Sequence, residues 1–179
     1  PEFTCTDATV TGASNVLRLN KTQYMNALTD LLPASVLSNP NVVTALTLLP
    51  TDDTDMLASV LHNVSGDQVE AYVNTAETIA DLIVSDNNLI SAVFGSAAVA
   101  ATPTSTCLDS YLGIGTNPLN TAMRIFRRPL TSAEQTTAKA IGNPSSPYCA
   151  KANLRRLLET HLVSPQFLLR LELGSANDA

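Results

Sequence analysis

Ten residues, Ile125 to Glu134 (IFRRPLTSAE), constrain the fold of this chain more than any other stretch. They end one helix and begin another, leaving no room for a strand between. Leu119, Ala122, Met123 and Phe126 recur at the spacing of a single helix face. Pro129 disfavours helical backbone at Arg128 and marks a stop there. Thr131 and Glu134 then read T-x-x-E, a capping box that satisfies two otherwise orphan backbone donors at a helix start. Helical patterns on both sides of such a hinge point to an all-α protein.

The same stops and starts recur along the chain. Asn20 and Gln23 form an N-x-x-Q cap for a helix from Lys21 to Leu32, with Tyr24, Leu28, Leu31 and Leu32 on one face and Pro33 as its end. Asn39-Pro40 opens a short helix lined by Val42, Val43, Leu46 and Leu49. The clearest helix spans 65–84, capped by Ser65 and Gln68. Its inner stripe is Val69, Tyr72, Val73, Ala76, Ile79, Ala80 and Ile83, and Asp67, Glu70, Glu77 and Asp81 lie off it. Further helices are expected from Asn87 to Phe94, stopped by Gly95, and from Asn117-Pro118 into the hinge. Others should run from Thr131 to Ile141, stopped by Gly142, from Ala150 to Leu162 (with Leu154, Leu157, Leu158, His161 and Leu162 sharing a face), and from Ser164-Pro165 through Phe167, Leu168 and Leu171. No alternating run reads as a strand. The expected architecture is an orthogonal or irregular bundle of about seven to eight helices, as one body or as two packed subdomains.

Ser96–Thr106 (SAAVAATPTST) is the best linker by composition. The domain reading is therefore an extended lead-in over 1–16, a helical domain over 17–96, a linker over 97–106, a second helical domain over 107–173 and a tail over 174–179. Gly113 and Gly115 form a lone G-x-G with no strand before it, which is not a dinucleotide fingerprint.

Aromatic residues are only 4% of the chain and tryptophan is absent, so the core must come from Leu, Ile, Val and Ala. A formal net charge of -6 argues against a nucleic-acid or anionic-membrane surface, and the one basic cluster is Arg124, Arg127 and Arg128. No apolar run approaches the ~20 residues that cross a bilayer. Pro1-Glu2-Phe3 reads as the edge of an excised piece, so the lack of an export signal here says nothing of the parent protein.

Cys5, Cys107 and Cys149 are too far apart for a c-type haem motif or structural zinc spacing, so no metal site is expected in the chain. Little lysine beside abundant Thr, Asn, Ser and Ala suggests an exported bacterial protein. One disulfide is expected, with Cys107–Cys149 ahead of Cys5–Cys107. The acidic run Thr51–Asp55 reads as a solvated loop. It lacks the glycine and final glutamate of a calcium loop, and paired carboxylates at Asp52, Asp53 and Asp55 would need burial to work as acid and base.

His62 and His161 are the only histidines. His161 falls on a leucine-rich face and reads as a hydrogen-bonded core residue rather than a catalyst. A haem held by both histidines, or by one with Met25, Met56 or Met123, has no motif behind it. Arg127, Arg128 and Arg170, near Glu134 and Glu172, are the more telling set. The plain expectation is ion pairs that pin the last helices to the hinge. The sharper one is an anion or acidic-sugar site at the Thr131 helix start, where backbone donors and arginine would converge.

Leu17–Leu32 (LRLNKTQYMNALTDLL), LPTDDTD and VSGDQVEAYVNTAETIADLIV resemble, in order, the opening motif, the loop and the helix of a bacterial domain of unknown function. That domain occurs in large exported planctomycete and myxobacterial proteins, often beside cytochrome-c-like domains. Cys107 followed by IFRRPLTSAE and LLETHLVSPQFLLRLE resembles a companion domain marked by "rRpLt-eE" and "LL-SP-FLYR-E", except that Leu169 stands where its tyrosine would be. A glycine- and aspartate-bearing segment of the first domain is shortened here to MLASVLHN.

The resemblance implies a periplasmic, outer-membrane-associated or secreted protein. Its partners would be other domains of its parent, a cytochrome-c-like domain among them. Any c-type haem would sit in that neighbour, with no cofactor in this chain. The expected role is a non-catalytic helical scaffold or interaction module. The alternatives are part of a redox or polymer-degrading enzyme whose site lies in missing domains, and a carbohydrate- or anion-binding module, against which the scarce aromatics count.

Overall fold

The computed structural model describes residues 16–49, 66–115 and 119–171. The expectations for Cys5, Thr51–Asp55, Met56, His62, the Ser65 cap, Asn117-Pro118, Glu172 and both termini lie outside the described residues, as does the side chain of Arg170.

Ten α-helices occur among the described residues, so the all-α expectation holds. β1 (Val16–Arg18) leads into α1 (Lys21–Leu31), α2 (Ala34–Leu37) and α3 (Pro40–Thr47). The long α4 (Gly66–Ser85) and α5 (Asn87–Phe94) complete the first half, followed by a 3-10 turn at Ser96–Val99. The second half holds α6 (Asp109–Leu112), α7 (Thr121–Phe126), α8 (Ser132–Gly142), α9 (Lys151–Leu162) and α10 (Pro165–Leu168), and closes on β2 (Leu169–Leu171).

Local chemistry explains most of these boundaries. Asn20 Oδ1 accepts from the Gln23 N–H at 2.7 Å and Gln23 Oε1 accepts from the Asn20 N–H at 3.0 Å, so both halves of the box are made. Tyr24, Leu28, Leu31 and Leu32 are buried as their spacing requires. At the end of α5 the backbone turns to φ 98° at Gly95, and a Cβ there would meet the Ser110 side chain at 2.7 Å. Gly142 is the last residue of α8, where a Cβ would lie 2.6 Å from Leu157 and 2.9 Å from Leu108. The helix ends there as expected, and the missing side chain also allows close packing.

Four local expectations need correction. Val43 and Val69 are 45% and 51% exposed, whereas Thr75 is buried, donating its hydroxyl to Ala71 O within α4. α7 begins at Thr121 and buries Thr121, Ala122 and Ile125, because Thr121 donates to the Val93 carbonyl at 2.8 Å and turns that face inward. The last helix is a single turn. Its continuation, Leu169–Leu171, pairs antiparallel with Val16–Arg18, a ribbon too short to show an alternating pattern. α2 was also unmarked, since one turn has no period to read.

The buried side chains of both halves form one cluster. Its most extensive helix contact is α4 against α9, which joins the two halves. The segment 97–106 runs between them with Ala98 buried. Cys107 and Cys149 are disulfide-bonded, with Cα atoms 6.3 Å apart, and both are buried. Beside the bond, Asn143 donates to Ser105 O at 2.9 Å and accepts from the Cys149 N–H at 3.1 Å, tying the same two loops.

The disulfide bridges a sequence separation of 42 residues. Replacing both cysteines by serine should therefore cost about 4 kcal/mol by restoring loop freedom to the unfolded chain. Urea unfolding of the two forms, without reductant, measures this. A difference below about 1 kcal/mol would mean that Asn143 and the core already hold the loops.

Candidate functional site

The hinge after α7 gathers the arginines. Arg127 ends α7 in left-handed backbone, φ 55° and ψ 22°. That conformation costs a non-glycine residue about 1–2 kcal/mol. Glycine would relieve the strain but lose the side chain, whose guanidinium donates to the carbonyls of Gln166, Phe167 and Leu169 at 3.2, 3.1 and 3.3 Å. These carbonyls crowd the end of α10, where a cation is favoured by the helix dipole. Arg127 thus ties the hinge to α10 through the backbone.

Arg128 makes the ion pair. Its two terminal nitrogens donate to Glu134 Oε2 at 2.9 Å and Oε1 at 2.6 Å. Glu134 Oε2 also accepts from the Thr131 N–H at 2.8 Å, while Thr131 Oγ1 accepts from the Glu134 N–H. Hydrogen bonding from Arg128, and then from the Thr131 backbone, holds the Glu134 carboxyl down to about 2. The Arg128 guanidinium lies 5.7 Å from the centre of the Phe126 ring. The Arg128 guanidinium and the Thr131 N–H, two of the groups that could receive an outside anion at the start of α8, are therefore engaged by the chain's own carboxylate.

Phe126 touches His161 edge-on at 5.3 Å between ring centres. His161 lies 6% exposed on the inner face of α9, as its leucine-rich setting suggested. The Tyr111 hydroxyl lies 2.7 Å from His161 Nδ1, and the two rings stack at 5.6 Å with planes 14° apart. Phe94 also stacks on Tyr111, at 4.7 Å between ring centres. Burial pushes His161 down to about 4, against the nearby Glu134 charge, and pushes the Tyr111 phenol far up. Imidazole is thus neutral at ordinary pH; the phenol is assigned as the donor to Nδ1, which puts the imidazole proton on Nε2. Tyr111 went unremarked in the sequence because its partner lies fifty positions away.

Arg155 spans the joint between halves. It bonds Asp81 of α4 and, at 2.9 Å, Glu159 one turn along α9. The Glu159 pairing has helical i, i+4 spacing and could be read from sequence; the Asp81 contact could not. Lys139 of α8 pairs with Asp109 of α6 at 2.9 Å. Among the described residues, no group of three or more His, Cys, Asp or Glu is arranged to hold a metal ion, and no helix is long and apolar enough to cross a membrane.

Residues 18–85 match the model of a family described as PSD3, Protein of unknown function (DUF1587). The match supports the resemblance of the first half to a bacterial domain of unknown function. The companion motifs of the second half and any cytochrome-c neighbour lie outside the match. No curated protein and no solved structure matches the chain.

The two hinge arginines should separate on substitution. Arg127→Lys replaces a fork reaching three carbonyls with a point charge and should cost about 1.5–3 kcal/mol in urea unfolding. Arg128→Lys changes a solvent-exposed pair and should leave the urea midpoint close to that of the native protein. Equal losses would overturn this ranking.

Acid should act through His161, which faces Tyr111 from α6, Phe126 from α7 and the Glu134 charge from α8. Its folded value lies below the ordinary 6.5. The stability it lends by staying neutral is fully present above pH 6.5 and is lost as pH falls through about 4, by roughly 3 kcal/mol at full loss. His161→Gln should flatten stability across that window. An unchanged slope would assign acid sensitivity to other groups.

Proposed function

We propose that this chain is a non-catalytic helical scaffold and interaction module of an exported bacterial multidomain protein, docked against an electron-transfer domain that carries c-type haem. One observation supports the reading above all. The side chains most suited to holding a ligand are committed to internal bonds: Arg127 to α10 carbonyls, and Arg128 and Glu134 to each other. An anion-binding role at α8 would require Glu134 to leave a bidentate partner and a helix cap together. Export is supported by the buried Cys107–Cys149 bond, which persists in oxidising compartments and is rare in a reducing cytosol. The domain match over 18–85 carries no known reaction.

Native mass spectrometry beside a denaturing spectrum without reductant tests this reading. The expected mass in both is that of the bare chain less two hydrogens for the disulfide. A second species under native conditions whose added mass matches haem, calcium or an organic anion would overturn it.

A further inference from the structure

Two tyrosines in this protein are fully buried, Tyr24 and Tyr111, and their hydroxyls have opposite fates. Tyr24 packs edge-on against Tyr72 at 4.9 Å and Phe167 at 5.6 Å, and its hydroxyl has no hydrogen-bond partner among the described residues. Tyr111 has a base in line. Its hydroxyl sits 2.7 Å from His161 Nδ1, the rings are nearly parallel, and Phe94 and Phe126 flank the pair. Such a pair can do something a lone buried phenol cannot. A phenol loses an electron with difficulty while it keeps its proton, because a buried phenol cation has no solvent to stabilise it. A neutral imidazole already on the hydroxyl removes that obstacle by taking the proton as the electron leaves.

We propose that Tyr111 and His161 form a redox-active pair in which oxidation of the phenol is coupled to proton transfer onto Nδ1. Tyr111 gives one electron to a one-electron metal-complex oxidant of higher potential than the phenol. The Tyr111 O–H bond breaks and the His161 Nδ1–H bond forms. The products are a neutral phenoxyl radical, an imidazolium and the reduced oxidant. Return of the electron reverses each change, with no atom gained or lost. The aromatic flanks and complete burial of Tyr111 keep water from the radical. His161 retains 6% exposure, so the pair lies just under the surface. The pair needs no group from outside the chain except the oxidant, and it stands whether or not the scaffold reading does.

Photogenerated ruthenium(III) polypyridyl serves as the oxidant, with the phenoxyl radical followed by transient absorption and trapped for electron paramagnetic resonance. The part of the signal that Tyr111→Phe removes belongs to Tyr111, and Tyr24→Phe should leave that part unchanged. His161→Gln, checked for folding by circular dichroism, should slow radical formation by on the order of a hundredfold, the usual worth of a positioned base. Oxidation in the native protein should slow in deuterated water, and His161→Gln should lose that sensitivity. If Tyr111→Phe does not fold, the His161→Gln rate and the deuterium effect decide. A Tyr111 signal that forms as fast without His161, or no signal in the native protein, overturns the proposal and leaves a satisfied core hydrogen bond.

Discussion

The packing of α4 against α9 is the contact on which the rest of the structure depends. α4 brings Ile79, Ala80 and Ile83 from the first half, all fully buried. α9 brings Leu154, Leu157 and Leu158 from the second, equally buried. Each such leucine or isoleucine is worth about 1.5–3 kcal/mol on burial. The Arg155–Asp81 pair across the same joint is half-exposed, and such pairs are worth under about 1 kcal/mol. Packing therefore supplies the adhesion, and the ion pair fixes which turn of one helix meets which turn of the other. α3 and α5 lie on α4, and α8 and α10 lie on α9, so both halves are assembled around this one joint.

The β1–β2 ribbon closes the arrangement from the far ends of the described chain, pairing Val16 with Leu171 and Arg18 with Leu169. Leu19 extends the ladder by donating to Leu168 O at 2.8 Å. Arg18 reaches on to the Tyr72 hydroxyl of α4 at 3.0 Å, so the ribbon is bonded to the central helix as well as to itself. Arg127 holds the carbonyl at which α10 gives way to β2. The strained hinge, the last helical turn and the ribbon are thus one connected piece, and the left-handed conformation of Arg127 is stabilised by the bonds its side chain makes there.

Much of the first half could be read from sequence because its helices carry their own instructions. The Asn20–Gln23 box, the Asn39-Pro40 start and the Gly95 stop each depend on residues within one turn. The α4 stripe was legible at its centre and failed at Val69, near its first turn, where the helix leaves the core. In the second half, α6, α7 and α10 have four to six residues each, too few to display a period. The hinge was legible in two respects: Thr131 and Glu134 were readable as a cap, and an arginine–glutamate ion pair, made by Arg128, was expected there. That Arg127 would bind carbonyls rather than a carboxylate was not, since α10 meets the hinge only after folding.

The second half obtains by specific links what the first obtains by periodicity. A short helix buries few side chains, and leucine and alanine accept many neighbours, so apolar burial alone would leave α6, α7 and α8 free to shift. The disulfide and the Asn143 clamp fix the loop before α6 to the loop before α9. Thr121 fixes α7 to the end of α5 through Val93 O, and Tyr111 fixes α6 to α9 through His161. Each buried polar group would cost about 1–3 kcal/mol if its partner moved away, a penalty apolar contacts do not impose. The polar pairs thus act as register marks. Tyr111 and His161 are held in one geometry for that structural reason, and the same geometry places the phenolic proton against a neutral base.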